Sequence, residues 1–407
     1  MSLIAESSLP NASSSPWYNF FVFRFARPMR YPRSPRHRLR PAATHPDVML
    51  VTALAVLCGF GFFALASASS IASLERYGNP YHVVARQLLV GGVPGAALFA
   101  IFQAVDYRRW QRYRWWWLAL TLALLAAVFA PGIGQVRHGA QSWLGLGPIT
   151  FQPAEVVKLT AVLYLAAWLA GAGYHGVQRF RHGFAPFVVF AGLTLGLIAL
   201  QPDLGTLLVV AVILATTYFA AGAKLTHLGA LAVMAAAGAV AVLPRGGYRW
   251  QRIVVFLHPN FDPQGAGYHI TQAYLAIGAG GWFGRGLGKS HQKFSYLPEV
   301  SADSIFAIIA EELGFIAAAG LVLLLALVVL RALRIAKFAP DPFGRFLAVG
   351  IAAWFGFQSF LNIAAMVGIA PLTGLPLPFV SAGGTALAAN LAAAGLLLNI
   401  SRHTTTS

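Results

Sequence analysis

Ten apolar runs, parted by shorter polar or charged segments, set the pattern of this chain. They fall at about 48–68, 85–104, 115–131, 154–172, 184–200, 204–221, 226–243, 304–330, 346–368 and 384–401. A helix of about 20 apolar residues crosses the hydrocarbon of a bilayer. The pattern therefore predicts an all-α, polytopic membrane protein with about ten transmembrane helices. The basic segments DYRRWQRYR, HGVQRFRH, AGAKLTH, RALRIAKFAPDPFGR and SRH recur at every second connection. Positive charge stays on the cytoplasmic side, so both termini are expected there. The organisation that follows is a basic, disordered tail over 1–45, a membrane domain over 46–402 with a large extracytoplasmic loop at about 243–303, and a short C-terminal tail over 403–407.

Composition sharpens this picture. The chain is 58% hydrophobic and 10% charged, which excludes an ordinary soluble domain. A net charge of +17 would suggest nucleic acid in a soluble protein. Here the arginines cluster between apolar runs, where they orient helices, so no nucleic-acid partner is expected. The tail holds seven arginines between Arg24 and Arg40 and lacks the charge order of a signal peptide. Attraction to anionic membrane lipid is a second role open to it. The single Cys58 lies in an apolar run, so no disulfide framework exists.

Candidate chemistry concentrates in 286–314, GLGKSHQKFSYLPEVSADSIFAIIAEELG, which carries four of the 12 acidic residues. With Ser301 as N-cap, Asp303 falls in the first turn of the eighth span, where the helix dipole would keep it ionised. Glu311 follows eight residues on, about 80° around the helix and about 12 Å deeper, able to line the same cavity. Glu312 points away and needs a partner in a buried network. Arg249, Arg252, Arg285, Lys289 and Lys293 supply cations, and Gln292 a polar group, in a glycine-rich setting that suits a phosphate or pyrophosphate. It is no P-loop, because Phe283 stands where that motif opens with glycine. FQPAEVVKL and QPDLGT read as helix starts, with Glu155 and Asp203 at the positive end of a dipole and Lys158 one turn beyond Glu155. For each, local capping and a role in the site both remain open. In PLTGLPLPFVSAGGT the prolines and Gly383-Gly384 interrupt the helix, as backbone at membrane depth does where it is buried or lines a wet cavity.

These segments, in this order, resemble the SEDS family of shape, elongation, division and sporulation proteins. The resemblance runs from about Val48 to Ser401. KSHQK followed by YLPE is closer to the division-type FtsW branch than to the elongation-type RodA branch. It implies a peptidoglycan glycosyltransferase in the bacterial cytoplasmic membrane, polymerising lipid II at its outer face in cell division or cell shape. The implied partners are a class B penicillin-binding protein (a transpeptidase) and other division or elongation proteins. It implies Asp303 as the essential carboxylate, with Glu299, Arg252, Lys289 and Lys293 as loop residues of the site. Gln152 to Glu155, Gln201 to Asp203 and Ser381 to Gly384 are the supporting motifs. Asp303 would act as general base or as a ligand for Mg2+ or Mn2+. The chain departs from the family's histidine-threonine-aspartate sequence, with Ser301 and Ala302 before Asp303. A lipid II flippase and a non-catalytic division scaffold are the alternatives.

Overall fold

Each of the ten apolar runs is a helix in the computed structural model. It describes residues 46–404 except 138–139, 147–148, 243–247, 259–264, 266 and 295–296. The expected tail over 1–45, and residues 405–407, lie outside the described residues, as does part of the loop at 243–303. In chain order the helices of the apolar runs include α1 (Val48–Tyr77), α2 (His82–Ala104), α3 (Arg114–Ala127), α4 (Pro153–Val177), α5 (Phe180–Leu200), α6 (Leu204–Ala220) and α7 (Leu225–Val242). After the loop come α10 (Ile305–Phe338), α11 (Pro342–Met366) and α12 (Gly384–Ser401). Seven of these are long and apolar enough to cross a membrane, and α6 and Leu225–Gly238 are apolar but shorter.

The loop after the seventh run contains two further helices that the apolar pattern does not show, α8 (Tyr248–Leu257) and α9 (Tyr268–Gly280). The connection between α3 and α4 forms a small antiparallel sheet, β1 (Gly134–Arg137), β2 (Ala140–Leu146) and β3 (Ile149–Phe151), in the order β1-β2-β3. An all-helical reading omitted it, because strands this short carry little periodicity.

Capping residues fix the ends. Asp47 accepts from the Leu50 amide at 3.0 Å to start α1, and its other oxygen lies 2.6 Å from Arg331 of α10. Gly78, in the left-handed region, ends α1 at a position where a side chain would be strained. Helices α11 and α12 supply much of the core, with Trp354 of α11 among the largest fully buried side chains. Helix α12 packs directly on α2. A Cβ on Gly91 would stand 2.7 Å from the Gly384 Cα.

Helix α10 breaks at Gly314, whose φ is 78° and ψ −176°. The break frees the Glu311 and Glu312 carbonyls, which accept from the Arg285 amide at 2.9 Å and the Gly286 amide at 3.0 Å. A side chain on Gly280 or Gly284 would collide with the carbonyls of Ala310 and Glu312. Gly280 and Gly284 therefore let the loop backbone lie against α10. For these two glycines, close packing rather than a phosphate setting accounts for the residue type.

Candidate active site

At one end of the bundle five helix N-termini converge on a cavity of about 620 Å³. Its wall includes His82 and Val83 at the start of α2, Gln152 just before α4, Asp203 before α6, Asp303 before α10, and Gly384 and Thr385 opening α12. Strand residues Ser142, Trp143 and Thr150 cover one side. The first amides of each helix lack partners within it and carry the positive end of its dipole, so this geometry favours an anionic ligand.

Asp303 is 9% exposed and sits in this wall. It lies in a turn ahead of α10, whose N-cap position is Ser304 rather than Ser301. The dipole was expected to keep its carboxylate ionised. Instead, burial and the neighbouring Glu299 push it up to about 7. Its own backbone amide, Arg252 and the Ser304 hydroxyl pull the other way. A carboxyl poised near neutrality is better matched to taking up a proton than an ordinary aspartate.

Arg252 comes to Asp303 from α8. Its Nη1 donates to the Leu372 carbonyl at 2.9 Å. A Cβ on Gly374 would have both Arg252 Nη1 and Asp303 Oδ2 at 3.9 Å. Glycine, with φ +71°, thus keeps open the space between cation and carboxylate. Glu299 and Arg86 also line the cavity.

The interrupted segment over 370–383 is held from below by side chains of α11. Asn362 Nδ2 donates to the carbonyls of Asp303 at 2.8 Å and Leu375 at 2.7 Å. One turn earlier Gln358 Nε2 donates to the Pro376 carbonyl at 2.8 Å. Gln358 Oε1 in turn accepts from Lys158 Nζ at 2.7 Å, and Lys158 pairs with Glu155 at 2.7 Å, both fully buried. Glu155 and Lys158 thus support the cavity floor without lining it. From α2, Gln87 Nε2 donates to the Ser381 carbonyl at 3.3 Å and its Oε1 accepts from the Gly383 amide at 2.9 Å. Ser381 Oγ accepts from the Leu377 amide at 2.8 Å, and the Ser301 carbonyl accepts from the Ala382 amide at 2.7 Å. Asp203 caps α6 through the Thr206 amide at 3.0 Å, at the positive end of that helix's dipole as the sequence suggests, and it also lines the cavity.

Several expected site residues lie elsewhere. Glu311 is buried beneath the loop and accepts from Ser290 Oγ at 2.5 Å and the His291 amide at 2.9 Å, instead of facing the cavity. Lys293 is buried against Glu312, with Nζ to Oε1 at 2.9 Å, which corrects its assignment to a pyrophosphate. Ser67 of α1 completes the expected network of Glu312 at 2.5 Å. Lys289 is exposed and Gln292 half-buried, and neither lines the cavity. The Arg249 side chain lies outside the described residues.

Sequence reasoning passed over Gln87, Arg86, Gln358, Asn362 and His269. Polar side chains inside apolar runs were the available signal, since they are costly there unless they serve a network or a site. Gln87, Gln358 and Asn362 fit that description.

The sequence profile of the cell cycle protein family of FtsW, RodA and SpoVE matches residues 48–406. Stage V sporulation protein E of Bacillus subtilis is 39% identical over 88% of this chain and 98% of its own. A Thioalkalivibrio protein named "Probable peptidoglycan glycosyltransferase FtsW" is 41% identical over 88% of this chain and 90% of its own. Among solved structures, a chain of a peptidoglycan synthase complex that coordinates polymerization and crosslinking superposes with a TM-score of 0.73. It is 30% identical and covers 89% of this chain and 100% of its own. The rod shape determining protein RodA of Thermus thermophilus gives a TM-score of 0.65 at 30% identity, over 89% of this chain and 99% of its own. This multi-pass membrane chain, with its cavity at Asp303, belongs to the FtsW/RodA/SpoVE family.

Proposed function

We infer that this chain is a peptidoglycan glycosyltransferase that polymerises lipid II into glycan strands at the outer face of the bacterial cytoplasmic membrane. One observation carries the chemistry. A buried carboxylate raised toward neutrality faces Arg252 across an open glycine, in a cavity ringed by five helix N-termini. In the reaction the acceptor hydroxyl attacks the anomeric carbon of the donor sugar and Asp303 takes its proton. The bond to the donor's pyrophosphate breaks, and the electron pair leaves with the phosphate. Arg252 and Arg86, with the helix N-termini, stabilise that charge, and holding both sugars in line supplies much of the remaining rate.

A divalent cation fits only in a limited form. Among the described residues no three His, Cys, Asp or Glu side chains converge as a metal site. The neighbouring carboxylates of Asp303 and Glu299 would hold Mg2+ or Mn2+ with its other ligands from water and phosphate. Such an ion would add positive charge beside the leaving group.

The partner that fits is a class B penicillin-binding protein, given the synthase complex that contains the similar chain. Division and elongation proteins would recruit the pair. The test is polymerisation of fluorescent lipid II by the purified chain, alone and with a candidate transpeptidase. Long glycan products are expected. Unreacted lipid II under both conditions, with translocation across vesicles instead, would favour the flippase alternative.

A further inference from the structure

We infer that His269 is a positioning residue for Asp303, acting through the hydroxyl of Ser304. The inference rests on Asp303 as the reacting carboxylate.

Helix α9, which carries His269, lies in the loop and packs against α10. Its imidazole reaches the cavity wall, with Nε2 2.5 Å from Ser304 Oγ. Ser304 is fully buried at the N-cap position of α10, yet its side chain does not cap that helix. The hydroxyl turns instead toward the Pro298 carbonyl at 2.9 Å and Asp303 Oδ1 at 3.4 Å.

One hydroxyl proton thus serves three neighbours. The Pro298 carbonyl and the ionised Asp303 only accept, while the imidazole nitrogen donates or accepts according to its tautomer. Were Nε2 bare, Ser304 would spend its proton on His269 and have none to give the Pro298 carbonyl or the buried Asp303 carboxylate. With a proton on Nε2, His269 donates to Ser304, and the serine proton is free for Pro298 or Asp303. The second arrangement satisfies the site. Burial and Arg252 hold the imidazole down to about 4, so the ring stays neutral and keeps one N–H for this role.

The chain's own sequence gives this arrangement added weight. Ser301 and Ala302, the two residues before Asp303, offer no imidazole. The one that reaches Ser304 comes from 35 residues upstream.

The experiment compares steady-state polymerisation of labelled lipid II by the purified full chain carrying His269→Leu, His269→Gln, Ser304→Ala, His269→Leu with Ser304→Ala, or Asp303→Asn. Loss of one such hydrogen bond should lower kcat by about tenfold in His269→Leu, with KM little changed. Glutamine, which restores an N–H donor, should recover most of that loss. Ser304→Ala should match His269→Leu, and the double variant should be no slower than Ser304→Ala alone. Parental kcat in His269→Leu, no recovery with glutamine, or multiplied losses in the double variant would overturn the inference. If His269→Leu is recovered in poor yield, Ser304→Ala decides by itself, and parental turnover there is equally fatal. An active Asp303→Asn would defeat the reading of Asp303. An inactive Asp303→Asn beside a parental His269→Leu would defeat only the role of His269.

Discussion

Lys293 Nζ lies 2.9 Å from Glu312 Oε1, with both side chains buried and Ser67 of α1 donating to the other carboxylate oxygen at 2.5 Å. A loop residue, the broken helix α10 and the first helix are thereby joined in one network. Removing one partner of such a pair strands a buried charge, at a cost of about 3–5 kcal/mol. Lys293→Met should therefore lower the thermal unfolding midpoint in detergent, while KM for lipid II in the folded fraction stays near parental. Lys293→Met combined with Glu312→Gln should regain much of the stability. A raised KM at unchanged stability would return Lys293 to the substrate.

Arg252 is the cation that the structure does bring to Asp303. Arg252→Ala should lower kcat/KM by an amount on the order of 2–4 kcal/mol, as loss of charge stabilisation at a reacting centre does. Lys289→Ala, altering an exposed residue off the cavity wall, should turn over at close to the parental rate. Kinetics with labelled lipid II distinguish the two.

The pH dependence follows from the raised carboxyl of Asp303. Proton uptake requires the ionised form, which gains population as pH rises through about 7. Polymerisation should fall on the acid side of about pH 7, well above the range of an ordinary aspartate. Arg252 favours the ionised form, so Arg252→Ala should move this limb to higher pH. A rate that stays flat down to about pH 5 would contradict the assignment.

The alternation of basic connections predicts the sidedness of the membrane domain. A cysteine replacing Lys289 should be labelled by an impermeant maleimide added to spheroplasts, and one replacing Arg109 should not. Labelling of both from one side would remove the expected topology.

The helices were legible because membrane helices announce themselves by length and apolarity, and the ten runs each became one. Asp303, Arg252, Asp203 and the segment over 381–384 could also be read, since helix starts, charge and interrupted apolar runs mark them locally, whereas Glu299 was reached only through the family resemblance. Lys293 and Glu311 misled for a physical reason. Sequence places them within the charged loop and one helix face, but whether a charge faces a cavity or a buried partner depends on the break at Gly314 and on α1, which lies more than 200 residues away. Gln358 and Asn362 were overlooked because their partners are backbone carbonyls of the 370–383 segment and Asp303, which no spacing rule connects to them.

Asp303→Asn tests the central claim most directly, because it keeps the size of the side chain while removing its charge and its capacity to take a proton. The variant should insert, fold and bind a candidate transpeptidase as well as the parent does, yet make no glycan strands from labelled lipid II at any pH between about 6 and 9. Polymerisation at the parental rate would contradict Asp303 as the reacting carboxylate.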